Sequence, residues 1–171
     1  MKSKLMVISR FSILTLVAAS FSFAGLALAE ESSTSKSSSL SEKDKTFMKK
    51  AAKDGAMEVA MGRLAAQNAQ SDEVKSFGQR MVTDHSKAND ELKSIAAKKG
   101  VKLPSKEPSE KWTSDKVYMD MMVKDHEKDL AEFQDEATNG IDPDVKKFAE
   151  ETAKIVQEHL DLAKQTQSKL Q

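Results

Sequence analysis

Three stretches of this chain repeat one pentad: Met81-Val82-Thr83-Asp84-His85, Met122-Val123-Lys124-Asp125-His126 and Ile155-Val156-Gln157-Glu158-His159. Together they hold all 3 histidines of the sequence. In each, the histidine takes a step in a series that is otherwise apolar and spaced i, i+3/i+4, the repeat of one helix face. The second predicted helix carries Val74, Phe77, Met81, His85, Leu92 and Ile95. The third carries Tyr118, Met122, His126, Leu130, Phe133 and Ala137. The fourth carries Val145, Phe148, Thr152, Ile155, His159, Ala163 and Leu170. A chain patterned this way folds into a helical bundle with three imidazoles facing one interior.

The helix ends are marked locally. Ser41 with Asp44 three residues on forms a capping box, and the helix it opens reaches about Ala69. Ser71 or Asp72 caps the second helix. Gly100 ends it, with Lys98 and Lys99 complementing the helix dipole. Residues Val101 to Trp112 contain Pro104 and Pro108 and make the one long connection. The third helix begins near Thr113 or Ser114 and stops at Asn139-Gly140. Asp142-Pro143 then opens a fourth that runs to the C-terminus, a cap followed by proline at the first helical position. Gly55 and Gly62 share a face of the first helix and predict a close neighbour, and Gly78 does the same on the second. Asp72-Glu73-Val74-Lys75-Ser76-Phe77 is echoed by Pro143-Asp144-Val145-Lys146-Lys147-Phe148, each after a tight turn. The residues therefore predict an all-α fold: an antiparallel four-helix bundle of two helical hairpins over residues 42–171.

Residues 1–29 read as a secretory signal peptide. Lys2, Lys4 and Arg10 precede an apolar run, and Ala27-Leu28-Ala29 supplies a small-residue cleavage motif; retention as an anchor is the alternative. Residues 30–41 form a Ser-rich tether. Without Lys2, Lys4 and Arg10, 24 basic residues face 27 acidic ones, a net charge of −3. Such a mixed surface argues against a nucleic-acid partner. The absence of cysteine rules out disulfides, lipid attachment through a cysteine and a thiol nucleophile. Nothing resembles a phosphate loop or a nucleophile elbow. The expectation is an exported protein of the periplasm or outer-membrane-associated envelope, with no integral membrane segment after cleavage and with an envelope protein as a partner to consider.

Residues equidistant from a tight turn lie at one height in an antiparallel hairpin. Glu58 and His85 pair in this way about Ser71-Asp72, and His126 and His159 about Asp142-Pro143. The pairs lie about 20 Å and about 25 Å from their turns, at 1.5 Å per helical residue. With both turns at one end, the four side chains fall within one helical turn of each other. Glu58, His85, His126 and His159 are thus the candidate metal ligands, and such a set suits zinc, iron, copper or nickel. Asp84, Asp125 and Glu158 flank the histidines, as hydrogen-bond partners behind the ligands or as plain surface charges. Met57, Met61, Met81, Met119 and Met122 read as core filler, with a soft copper site as the alternative. A polar network of the histidines with Glu58, Thr152, Tyr118 or water accounts for the same pattern without a metal. Haem or another ligand is a third option.

Phe47 with Ala51-Ala52, Gly55-Ala56-Met57-Glu58, and the run from Arg80 to Asn89 carry a family likeness. So do Tyr118-Met119 through Lys124-Asp125-His126, and Gln157-Glu158-His159-Leu160. From about Lys45 to Leu170 the chain resembles the bacterial "predicted outer membrane protein" family, the domain of unknown function 4142. The resemblance implies an exported, ferritin-like four-helix bundle of no established biochemical role. Ferritin-like di-iron proteins place Glu-x-x-His on two helices. Here the residue three before each histidine is Val82, Val123 or Val156. A carboxylate-bridged di-iron centre is therefore not expected; a bound metal would sit in a His-rich mononuclear site. Two functional expectations follow. The first is a non-enzymatic stress or interaction module. The second is a metal-binding or metal-buffering protein holding one zinc, copper or iron ion, of which a metal-dependent redox enzyme would be an extension.

Overall fold

The computed structural model describes residues 40–105 and 108–170. The predicted leader and the tether up to residue 39 lie outside the described residues. The chain forms α1 (Glu42–Asn68), α2 (Asp72–Lys99), α3 (Asp115–Asn139) and α4 (Pro143–Ser168), with no strand among the described residues.

Each end is made by the residue that the sequence marks. Ser41 accepts the Asp44 amide at 3.0 Å, and the Asp44 carboxylate accepts the Ser41 amide at 3.2 Å, closing the capping box. Ser71, Ser114 and Asp142 cap the other three helices. Gly100 ends α2 in the left-handed conformation at φ 67, where a β-carbon would be strained. Leu40 packs against the core and Ser41 is the cap, so the last two residues assigned to the tether belong to the bundle.

Two aspartates reveal how the hairpins are arranged. Asp115, in the first turn of α3, accepts the amides of Gln70 and Ser71 in the α1–α2 turn, at 3.1 and 2.7 Å. Asp44, in the first turn of α1, accepts the amides of Ile141 and Asp142 in the α3–α4 turn, at 2.9 and 3.2 Å. The two tight turns therefore lie at opposite ends of the bundle. The condition that both turns sit at one end is not met. The connection after α2 runs the length of the bundle, with Val101 and Leu103 on one apolar cluster and Trp112 on another.

Those clusters form the two halves of the core. Met61, Ala65, Val74, Phe77, Met81, Tyr118, Met119 and Met122 fill the half near the α1–α2 turn. Met48, Leu92, Ile95, Val145 and Phe148 fill the half near the α3–α4 turn. The methionines behave as core filler, with Met48, Met81, Met119 and Met122 fully buried. The α1–α2 crossing is set by glycines: a β-carbon on Gly62 would stand 2.7 Å from the Gly78 carbonyl oxygen and 2.9 Å from Met81 Cβ. Between the two apolar halves lies a polar layer.

Candidate metal centre

His85, His126 and His159 reach that layer from the middles of α2, α3 and α4. Reversing one hairpin leaves mid-helix residues at the same height, so the site survives the correction to the turns. The rings form a near-equilateral triangle, with centroids 5.7 Å apart for His85–His126, 5.2 Å for His85–His159 and 5.5 Å for His126–His159. All three are buried.

Two of the rings are fixed from behind. His126 donates Nδ1–H to the Met122 carbonyl oxygen at 2.9 Å, one turn back on its own helix. His159 donates Nε2–H to Asp84 Oδ2 across the α2–α4 interface, also at 2.9 Å. Each donation leaves the other nitrogen with its lone pair. Those nitrogens, Nε2 of His126 and Nδ1 of His159, are buried without a hydrogen-bond partner, and so is Nε2 of His85. A bare buried acceptor costs about 1–3 kcal/mol, and native interiors hold few of them. Three unpartnered ring nitrogens in one layer call for an explanation.

The electrostatics keep the imidazoles neutral. Burial drives His85 well below its ordinary value, and the neighbouring His159 and His126 push it in the same direction. Burial, then His159, lowers His126 to about 4. His159 is also lowered, because burial outweighs the favourable Asp84. Neutral imidazole is the form that binds a metal.

The acidic candidates separate. Asp84 serves His159, not its own neighbour His85. Although partial burial opposes it, hydrogen bonds from His159 and Arg80 hold Asp84 below the usual carboxylate range. Arg80 bridges Asp84 (Nε–Oδ2 3.2 Å) and Glu158, so Glu158 reaches the histidines only through Arg80 and Asp84. Asp125 is half-buried, and burial raises its carboxyl. Glu58 approaches His126 from the Nδ1 side, with Oε1 3.8 Å away, and its Oε2 has no partner. Burial, then Asp129, Asp125 and Asp54, pushes Glu58 well above the ordinary carboxylate range. Glu58 and His126 therefore meet as two neutral groups and form no ion pair.

The sequence reading missed Arg80 and three buried or half-buried acids. Asp54, Asp129 and Glu132 bring carboxylate oxygens within 4.8 Å of one another, clustered around Lys50. Asp129 is pushed up to about 6 by burial and by Asp54.

The donor set fits a borderline transition metal. One nitrogen from each ring falls within 4.8 Å of the others. Zinc–nitrogen bonds of about 2.0–2.1 Å need nitrogens about 3.4 Å apart, a contraction that small ring rotations supply. The Asp84–His159 contact is the carboxylate–histidine support found behind metal ligands.

Structures of known proteins place the fold. A DUF305 fragment from Deinococcus radiodurans is 10% identical, with a TM-score of 0.64 over 76% of this chain and 98% of that one. A candidate spore coat protein from Bacillus halodurans is 12% identical, with a TM-score of 0.66 over 76% of this chain and 89% of that one. A two-domain protein from Anabaena variabilis, with DJ-1/ThiJ/PfpI-like and ferritin-like domains, is 14% identical, with a TM-score of 0.61 over 77% of this chain and 38% of that one. These likenesses support an all-α, ferritin-like four-helix bundle. No curated protein matches the chain. A family model does, across residues 29–166, and by that match the chain belongs to DUF4142, a domain of unknown function.

Proposed function

We propose that this is an exported metal-binding protein that holds one transition metal ion at His85, His126 and His159. The observation that carries the reading is that three buried histidines, each from a different helix, bring one ring nitrogen apiece within 4.8 Å of the others while each keeps a nitrogen without a partner. A purely structural polar network would pair those atoms with one another; here two of the rings spend their donors outward and turn bare acceptors inward. Nitrogen donors without thiolates suit zinc, copper or iron.

A buried dication needs negative charge nearby. Asp84, held through His159, supplies it. The bound ion would bridge α2, α3 and α4 and so stabilise the bundle by mass action. A metal-binding or buffering role in the cell envelope is the corresponding activity. The competing reading, an interaction module, has less behind it: among the described residues, the large apolar side chains left exposed are Val117 and Ile141, at opposite ends of α3. No helix among the described residues is long and apolar enough to cross a membrane.

Thermal melting of metal-free protein with and without one equivalent of zinc, copper(II) or iron(II) tests the proposal. One of these ions is expected to raise the midpoint of the wild type and to leave that of His126→Ala unchanged. No shift with any of them, or equal shifts in both proteins, would refute it.

A further inference from the structure

We infer that the seam between α1 and α3 is the path by which a cation reaches the histidines, with Asp54, Asp129 and Glu132 as an outer carboxylate site and Glu58 as the step between that site and the histidine layer. The inference rests on the metal-binding reading above and goes beyond it, from the resting site to the route that loads it.

His126 and His159 are sealed from solvent and His85 keeps only 8% exposure, so an ion needs a way in. On the α2–α4 side His159 is covered by Asp84, which Arg80 ties to Glu158. On the α1–α2 side the helices approach to backbone contact at Gly62 and Gly78, and Asn89 lies directly against Gly55. The α3–α4 pair is densely packed, whereas α1 and α3 make the sparsest of the four helix–helix interfaces.

That sparse seam is lined with carboxylates at helical spacing: Asp54 and Glu58 one turn apart on α1, and Asp125, Asp129 and Glu132 on α3. Side-chain exposure falls steadily inward, from 35% at Glu132 to 28% at Asp54, 12% at Asp129 and 4% at Glu58. The inner end is independently marked. Glu58 is buried with Oε2 unpartnered, its other oxygen lies 3.8 Å from His126, and the charges acting on it come first from Asp129. Glu58 thus adjoins both the outer cluster and the histidines.

Lys50 holds the outer cluster in this structure. Its ammonium lies 2.6 Å from Asp54 and 4.0 Å from Asp129, and it also pairs with Glu132. The outer site therefore accepts a cation, and a long, partly exposed side chain can leave it when a dication arrives. Carboxylate-lined clefts raise local cation concentration and speed association, by roughly tenfold or more at low ionic strength.

The test is stopped-flow loading of cobalt(II) into metal-free protein, read by the visible absorption of the histidine-bound ion. In Asp54→Asn/Asp129→Asn the loading rate is expected to fall about tenfold at low salt, and in Lys50→Met to rise. Both effects should shrink as salt is added. Release should change by the same factor, leaving equilibrium affinity unchanged, because a route alters both directions alike. Asp54→Asn alone, at a partly exposed position, gives the same readout if the double variant does not fold. Unchanged rates, or affinity falling in step with the loading rate, would overturn the inference while leaving the histidine site intact. No cobalt bound by the wild type at equilibrium would overturn the metal-binding reading itself.

Discussion

Glu136→Gln should remove a pH dependence of stability that the bundle carries near the α3–α4 turn. Asp44 there accepts four hydrogen bonds: the Ser41 amide and hydroxyl at 3.2 and 2.7 Å, and the Ile141 and Asp142 amides at 2.9 and 3.2 Å. That saturates a carboxylate. Glu136 lies beside it, 1% exposed, with no donor for either oxygen. Two adjacent buried carboxylates cannot both stay ionised, so Glu136 keeps its proton. Burial first, and Asp44 second, push Glu136 up to about 7 from an ordinary 4.5. The folded state then holds a proton that the unfolded state releases at about 4.5. Between those values the folded state binds more protons, so stability is fully present below about pH 4.5 and falls as pH rises through about 7. The ceiling is about 3 kcal/mol, at 1.36 kcal/mol per pKa unit. For a domain of this size that corresponds to a midpoint shift of about 10 °C. A glutamine side chain is neutral at every pH and carries no such titration. Thermal melts followed by helical circular dichroism should show Glu136→Gln matching the wild type near pH 5 and exceeding it near pH 8. The reasoning fails if the variant keeps the wild-type loss between those pH values, or if the wild type is the more stable at pH 8.

Three further outcomes are expected. Gly62→Ala drives a β-carbon against the Gly78 carbonyl oxygen, which cannot yield without parting α1 from α2. Urea unfolding should show a loss of about 1–3 kcal/mol, and an unchanged midpoint would contradict the close approach. His85→Leu replaces a buried nitrogen that has no partner with apolar volume. The metal-free bundle should gain about 1–3 kcal/mol while metal-dependent stabilisation disappears, and a destabilised metal-free variant would count against the bare-acceptor argument. Asp84→Asn removes the carboxylate behind His159 and should weaken metal affinity about 10–100-fold in calorimetric titration with little change in fold. Unaltered affinity would mean that Asp84 does not support the ligand.

The helices and their ends were legible because each cap is a local event. Ser41 with Asp44, Ser71, Gly100, Ser114 and Asp142-Pro143 act within a few residues of themselves. The inward aim of the histidines was legible from periodicity. What escaped the sequence depends on partners far along the chain. The α3 stripe was read through Leu130, Phe133 and Ala137, yet these are only half-buried, and Asp129 and Glu136 point inward instead. A small difference in helix rotation exchanges those sets, and only the facing Asp44 and the acid-lined seam reveal why carboxyl groups are tolerated there. Opposed turns were equally hidden, since they follow from Asp44 and Asp115 capturing amides of the other hairpin. Asp84 was flagged beside His85, but its contact is with His159, 75 residues on.

The central claim is that His85, His126 and His159 together bind a metal. Elemental analysis of the protein exported natively without a histidine tag, beside a His126→Ala control, tests it most directly. About one equivalent of a single transition metal in the wild type, and none in the control, is the predicted result. Equal metal in both proteins, or none in the wild type even after incubation with zinc, copper and iron, would contradict it.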